Sequence, residues 1–486
     1  MTNKHIDKLD IDDLESNTND DISDQKSYNK SEIERRVFNK LVWRFMPLAA
    51  TITFLQWIDK YTLNMSAVLG LKTDSNINTT QFNFLGSLFY LGYLIFQIPN
   101  FYLLHKLPTR KYLGFSLLAW GTVLACMAFG RNFSILAGLR FLLGLFESIA
   151  YPSLLLLVAA MFRRSEYSTM VASLWLANSV ASTFAGLIGY GSAQLNGVKS
   201  MSGWQWIFII FGIVTIAFGF ITIFFLVDNP KSKLLNLTPE EEEIVNERIK
   251  DNAVVQSKEF KWNHIFEALK ELKLWCFIFA SFFMMITNGF FTIYSSIVVE
   301  SFGFSGLDAV LLQMPNGAIS LIGVATVMWA SRRFNELTYV AIAALLVSAL
   351  GIIILMAIPS GKIKLLGTIL IHVYGSGYCM LLTLIASNAS GYTKKIFYQG
   401  LQLIFYTLGN FIGPFFMVDS AKPRYLGPLG GYLACNLLAC LLLFIARLNM
   451  KAHNQKKRSR PDFKEDERDI TLDLTDKEDT NFLYRL

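Results

Sequence analysis

The stretch WQWIFIIFGIVTIAFGFITIFFLV, from Trp204 to Val227, contains no charged residue and no proline. A helix rises about 1.5 Å per residue, so a run of this length crosses the ~30 Å hydrocarbon core of a bilayer, and it is roughly twice as long as a barrel strand. Lipid offers the backbone no hydrogen-bond partner, so the run reads as a membrane helix. Outward from it, five similar runs precede: Phe45 to Val68, Phe82 to Leu104, Tyr112 to Phe129, Ile135 to Met161 and Met170 to Ala193. Six follow a polar interval: Leu274 to Val299, Ala309 to Ala330, Tyr339 to Ile358, Leu365 to Ala386, Ile396 to Val418 and Leu426 to Ile445. The expected fold class is an all-α membrane protein with 12 transmembrane helices in two six-helix bundles. The two sets are similar in length, and the basic pairs Arg110-Lys111 and Arg332-Arg333 follow the second and eighth runs, as a duplication at the level of hydropathy predicts.

Composition agrees. Of 486 residues 53% are hydrophobic and 17% charged, against about 25% charged in soluble chains, and the mean hydropathy is +0.40. The five cysteines lie within or beside apolar runs and read as small apolar fillers; no metal-type Cys/His spacing occurs. These features exclude a disulfide-rich module, a collagen, a coiled coil and wholesale disorder.

The net charge of +7 is not a nucleic-acid footprint, because residues 1–44 hold 8 basic and 10 acidic side chains and residues 448–486 hold 9 of each. The remaining charge sits mostly in short connections, as membrane-flanking charge does. The expected domains are a disordered cytoplasmic N-tail (1–44), an N-terminal bundle (45–228), a cytoplasmic central loop with a short helix (229–271), a C-terminal bundle (272–447) and a cytoplasmic C-tail (448–486). Twelve spans put both tails on one side. Arg35, Arg36, Lys40 and Arg44 at one end, with Lys451, Lys456, Lys457 and Arg458 at the other, assign that side to the cytoplasm. The short loops lean only weakly the same way. The sequon Asn78-Thr79-Thr80 then falls outside. In the central loop, Thr238-Pro239-Glu240-Glu241 supplies a capping hydroxyl, a first-turn proline and acids at the positive end of a helix dipole, so a linker helix starts there.

An ionisable group at bilayer depth costs about 3 kcal/mol or more unless it faces protein or water, so intramembrane charges point to a pathway. Few exist: Asp59 and Lys60 beside Gln56 in the first span, Arg140 and Glu147 in the fourth, and His372 in the tenth. Arg140 and Glu147 are two helical turns apart, on one face, with Gly144 between them. Burial favours the neutral carboxyl and a neighbouring guanidinium the charged one, so an anion engaging the arginine would shift the glutamate toward its protonated form. The alternative is a permanent salt bridge pinning two helices. Asp59 and Lys60 point about 100° apart and face different partners; Lys60 either meets an anionic substrate, snorkels or pairs with Glu147. Asn178, Asn288, Gln313, Asn316, Tyr374 and Asn410 either line a polar cavity or join helices by hydrogen bonds, and His372 fits packing better than a proton relay.

Three segments carry a family resemblance: RFLLGLFESIAYP (Arg140 to Pro152), GWQWIFIIFGIVTI (Gly203 to Ile216) and SNASGYTKKIFYQGLQLIFYTLGNFIGP (Ser387 to Pro414). From about residue 40 onward the chain resembles the major facilitator superfamily, and within it the fungal anion:cation symporters. The ending LDLTDKEDTNFLYRL resembles the allantoate-permease group in particular. The resemblance implies that Asp59 and Glu147 exchange protons, that Lys60 meets a substrate carboxylate and that Arg140 partners Glu147. Gln56, Asn288, Tyr374 and Asn410 complete the candidate substrate site. Where relatives often carry arginine, Lys60 makes a point-charge contact in place of a bidentate clamp. The acidic loop motif after the second span is reduced to NFYLLHKLPTRK, and the fifth span lacks a Gly-Pro antiporter motif, which favours symport over exchange.

The expected function is proton-coupled import of a small organic anion such as allantoate, ureidosuccinate or a related carboxylate or small peptide. The proton gradient would supply the energy, with no cofactor and no nucleic acid, from a monomer in the plasma membrane. A nicotinate or other vitamin carboxylate is the alternative cargo, and a transporter-like nutrient receptor the alternative class. An enzyme is disfavoured because His372 has no catalytic partner at its depth.

Overall fold

The computed structural model of the chain describes residues 6–253, 261–359, 361–417, 424–460 and 474–486, with side chains of the first helix described from Glu32 onward. These residues form twelve spanning helices. In the first half they are α1 (Ile6–Ser66), α2 (Thr79–Lys106), α3 (Thr109–Met127), α4 (Phe133–Met161), α5 (Arg164–Ala193) and α6 (Gly203–Phe225). In the second half they are α7 (Leu272–Glu300), α8 (Gly306–Phe334), α9 (Thr338–Ala357), α10 (Lys364–Asn388), α11 (Tyr392–Ile412) and α12 (Leu426–Arg458). Ten include a stretch long and apolar enough to cross a membrane on length and composition alone. The other two, α3 and α11, are diluted by polar residues such as Arg110 and Lys111, and Gln399 and Gln402, but pack within their bundles like the rest. Trp43, Ile98, Phe115, Phe224, Phe225 and Trp329 are more than half exposed on the outer faces, which suits lipid and not water.

Helix starts follow local chemistry. Asn78 of the sequon caps α2, accepting from the Gln81 amide at 2.8 Å while the Gln81 side chain accepts from the Asn78 amide at 3.1 Å. The linker helix Pro239–Ala253 opens as expected, with the Thr238 and Glu241 side chains each accepting from the other's amide. Three spans are interrupted: α4 after Glu147 and α10 after Ile371 along their length, and α8 near its start, after Leu311. In α10 the amides of His372, Val373, Gly375 and Ser376 donate three residues back, a local 3₁₀ tightening.

Each half carries its own cap at the face bearing the termini. The linker helix belongs to the first half through Lys40–Glu241 (2.6 Å) and the Arg248–Glu166 ion pair. The helix Trp262–Leu269 belongs to the second, through Glu267 and Lys394 (2.6 Å). Both expected tails are shorter than the sequence suggested. Residues 32–44 continue α1 as helix, with Val37 and Leu41 buried, because the apolar side chains Val37, Leu41 and Phe45 fall at helical spacing. At the other end α12 runs on to Arg458, and residues 474–486 fold back onto the ends of α7, α10 and α11.

That returning segment is held by charge and by two buried aromatics, Phe482 and Tyr484. Asp476 is fully buried, pairs with Lys273 and lies 2.7 Å from Lys394, which also reaches Glu271 at 2.6 Å. Asn388 and Arg485 exchange hydrogen bonds of 2.7 and 2.8 Å, and the Leu337 amide donates to Leu486. Glu267, Glu271 and Asp476 approach one another closely enough for a metal, but the lysine ammonium groups already neutralise them. Burial alone would push the Asp476 carboxyl up; Lys273 and Lys394 outweigh it and hold the group well below the usual carboxylate range. Asp476→Ala leaves two buried cations short of a partner, and removing one member of a buried pair costs about 3–5 kcal/mol. Thermal unfolding of the purified protein is expected to show that loss. A folded value below the unfolded one contributes stability above the ordinary carboxylate range, lost only as pH falls through the folded value. The Asp476 contribution is therefore expected to be unchanged between neutral pH and pH ~5.

Candidate transport site

Four charged side chains converge in the first half. Lys60 on α1 places Nζ 3.2 Å from Oε1 of Glu147 on α4, so of the readings open for Lys60, pairing with Glu147 is the one this conformation adopts. Glu147 is completely buried and Lys60 nearly so. Asp59 turns away from that pair, as adjacent helical residues must; it is fully buried, and neither carboxylate oxygen has a hydrogen-bond partner among the described residues. Arg140 is also buried, makes no ion pair among the described residues, and leaves Nε and Nη2 unpartnered. Arg140 and Glu147 share a helix face but are not in contact as an ion pair; Lys60 has taken the carboxylate. Gly144, between them, permits this placement: a Cβ there would lie 1.8 Å from the Phe89 carbonyl oxygen, so α4 rests directly on the α2 backbone.

Native structures rarely leave buried charges without hydrogen bonds, and in a membrane such groups mark a pathway. A cavity lies beside the cluster, between the halves. Its walls include Trp57 and Tyr61 from α1, Trp175, Asn178 and Ser182 from α5, Asn288 from α7, His372, Tyr374 and Tyr378 from α10, and Tyr406 from α11. The space between these walls, open solvent included, is about 610 Å³. Lys60 stands behind this wall, with Nζ 5.8 Å from the Trp57 ring and 5.9 Å from the Phe89 ring.

The predicted binding residues divide. Asn288 and Tyr374 line the cavity. Gln56 is buried one turn before Lys60, off the wall, and Asn410 lies behind Asn288, which donates to it at 2.5 Å. Tyr374 donates to Oδ1 of the same Asn288 side chain. These three therefore serve packing of the second half as much as its cavity surface. Gln313 and Asn316 bond within α8. The sequence reading missed the aromatic lining other than Tyr374, and Gln402, which donates to Tyr378 at 2.5 Å and to Ser281 at 3.3 Å. Aromatics inside apolar runs look like core; the one signal was Trp57, in the same turn as Asp59 and Lys60.

The halves meet most tightly on the side away from the termini. Asn64 donates to Ser295 at 2.7 Å and accepts from the Ser296 amide at 3.1 Å. Asn83 donates to the Met417 carbonyl at 3.0 Å, and Ser87 to that of Phe411 at 2.7 Å. Closer to the termini, Gln97 donates to Thr407 at 3.0 Å, and the Trp175 and Tyr378 rings, 5.9 Å apart, narrow the cavity. The cavity is thus sealed from the far face.

The residue pattern that defines the Major Facilitator Superfamily matches residues 49–414. An uncharacterized transporter of Schizosaccharomyces pombe is 30% identical, over 91% of this chain and 90% of its own length. Allantoate permease of Saccharomyces cerevisiae is 28% identical, over 94% and 87%, and the high-affinity nicotinic acid transporter of the same yeast 26%, over 88% and 80%. Among solved structures, the inward-facing, unoccupied form of a bacterial homologue of the human lysosomal transporter Spinster superposes with a TM-score of 0.66 at 16% identity, covering 85% of this chain and 97% of that one. The xylose transporter XylE of E. coli, partially occluded and inward open, gives 0.63 at 14%, covering 83% and 99%.

Proposed function

The chain belongs to the Major Facilitator Superfamily, a multi-pass membrane transporter of small organic substrates, and from that premise we propose that it imports an organic carboxylate together with protons by alternating access. The observation that carries this reading is the Lys60–Glu147 pair beside the cavity, flanked by the unpartnered Asp59 and Arg140. A cargo carboxylate competes with Glu147 for Lys60. Released from the ammonium and still buried, Glu147 then favours its neutral form and takes a proton. Anion and proton enter together, so the buried charge is unchanged. Asp59, equally dehydrated and near the same cations, is the second proton site. The two capped halves rock about the cavity, and the proton gradient is the only energy source.

The proposed setting is the plasma membrane with both termini in the cytoplasm, a reading that the basic residues flanking the first and last helices support. In that orientation the Asn64–Ser295 and Asn83–Met417 contacts between the halves lie on the outer side. Allantoate and ureidosuccinate suit a single cationic contact in a polar, aromatic cavity, as the allantoate permease relative suggests. Lys60→Ala is expected to weaken inhibition of uptake by carboxylates about tenfold or more while barely changing that by the corresponding amides, since a partly buried charge contact is worth about 1.5–3 kcal/mol. Equal losses for acids and amides would remove Lys60 from the binding site.

A further inference from the structure

His372 sits where α10 tightens, and its ring is fixed. Nδ1 lies 2.8 Å from the Thr368 carbonyl oxygen, which only accepts, so Nδ1 carries the proton and Nε2 of the neutral ring is an acceptor. The ring packs edge-on to Phe291, with centroids 5.8 Å apart. His372 lines the cavity with only 6% of its surface exposed, and Nε2 is buried without a hydrogen-bond partner among the described residues. Leaving a buried acceptor unmet costs about 1–3 kcal/mol, which an apolar ring at the same place would avoid. On the facing wall of the first half, Asn178 also has no described hydrogen bond, so the cavity offers polar groups away from Lys60 for a second part of the cargo.

We propose that His372 determines specificity: its Nε2 accepts a hydrogen bond from an N–H group of the cargo, so carboxylates bearing amide- or ureide-type donors bind in preference to carboxylates of the same shape without them. This rests on the carboxylate reading above, which assigns the other end of the cargo to Lys60. The reading also opposes a cargo whose remote polar atom is itself a bare acceptor, such as a pyridine nitrogen.

The test uses two probes of one shape. In 5-oxohexanoate the NH₂ and NH of 3-ureidopropionate are replaced by CH₃ and CH₂, with carbonyl and carboxylate kept. Affinities for the purified full-length protein are measured by calorimetry at neutral pH, for the wild type, His372→Phe and His372→Gln. The wild type is expected to prefer 3-ureidopropionate about tenfold, the worth of one hydrogen bond. His372→Phe is expected to lose that preference by weakening 3-ureidopropionate alone, and His372→Gln, which retains an acceptor oxygen, to keep part of it. Equal wild-type affinities, or a preference that survives His372→Phe, would overturn the proposal while leaving the carboxylate reading intact. Should His372→Phe not fold, the wild-type comparison and the Gln variant still decide. If neither acid binds, the carboxylate reading fails and this proposal falls with it.

Discussion

Glu147→Gln is expected to abolish the share of proton-driven accumulation that this residue couples, while leaving exchange of cargo across the membrane measurable. A glutamine has nearly the same shape, so the contact of α4 with α2 at Gly144 survives, but it can neither gain nor lose a proton. Each unit of pH gradient is worth about 1.4 kcal/mol, a factor of about ten in accumulation per coupled proton. The variant should therefore lose about tenfold in accumulation per unit of gradient, keeping only the share that Asp59 couples. Lys60, relieved of its partner at 3.2 Å, should hold the anion at least as well as before. Reconstituted vesicles with an imposed pH gradient give the accumulation ratio, and counterflow without a gradient gives the exchange. Normal accumulation by Glu147→Gln would remove the residue from coupling, and loss of exchange as well would make its role structural.

The second large effect is expected from Gly317→Leu. A Cβ at Gly317 on α8 would lie 2.2 Å from the Thr183 amide nitrogen on α5, in the other half. The obstacle is backbone, which cannot step aside as a side chain can. Each half has its own cap, so the protein should still fold; what suffers is closure between halves. Overpacking costs about 1–3 kcal/mol, occasionally more, which shifts the open–closed balance roughly fivefold to over a hundredfold. Cargo exchange should fall accordingly. A cysteine introduced at Ser295, buried beneath the Asn64 contact, should become reactive to an impermeant thiol reagent in the Gly317→Leu background and stay protected without it. Protection in both would show that the close approach does not govern closure.

How much of this was legible in the chain differs from residue to residue. The spans were readable because lipid imposes a length and an absence of charge that no other environment demands, as Trp204 to Val227 shows. Intramembrane charge was equally plain: Asp59, Lys60, Arg140 and Glu147 do assemble in one half. Their pairing was not plain, because spacing along one helix ranks Arg140 with Glu147, whereas the Lys60 ammonium arrives from another helix at a distance no linear pattern encodes. Asn288 and Asn410 looked like two cavity residues because nothing in the sequence says that they bond to each other. The returning segment at 474–486 was hidden for the opposite reason. It is polar and charged, like a solvated tail, and only the buried Lys273 and Lys394 give Asp476 somewhere to go.

Uptake of labelled allantoate, ureidosuccinate, nicotinate and a dipeptide by cells displaying the protein, at acidic and neutral pH, with and without a protonophore, tests the central claim most directly. Acid-stimulated accumulation of one of the ureido acids, collapsing when the protonophore is added, is the predicted result. Accumulation indifferent to pH and protonophore, or no uptake of any carboxylate by protein present at the surface, would contradict it.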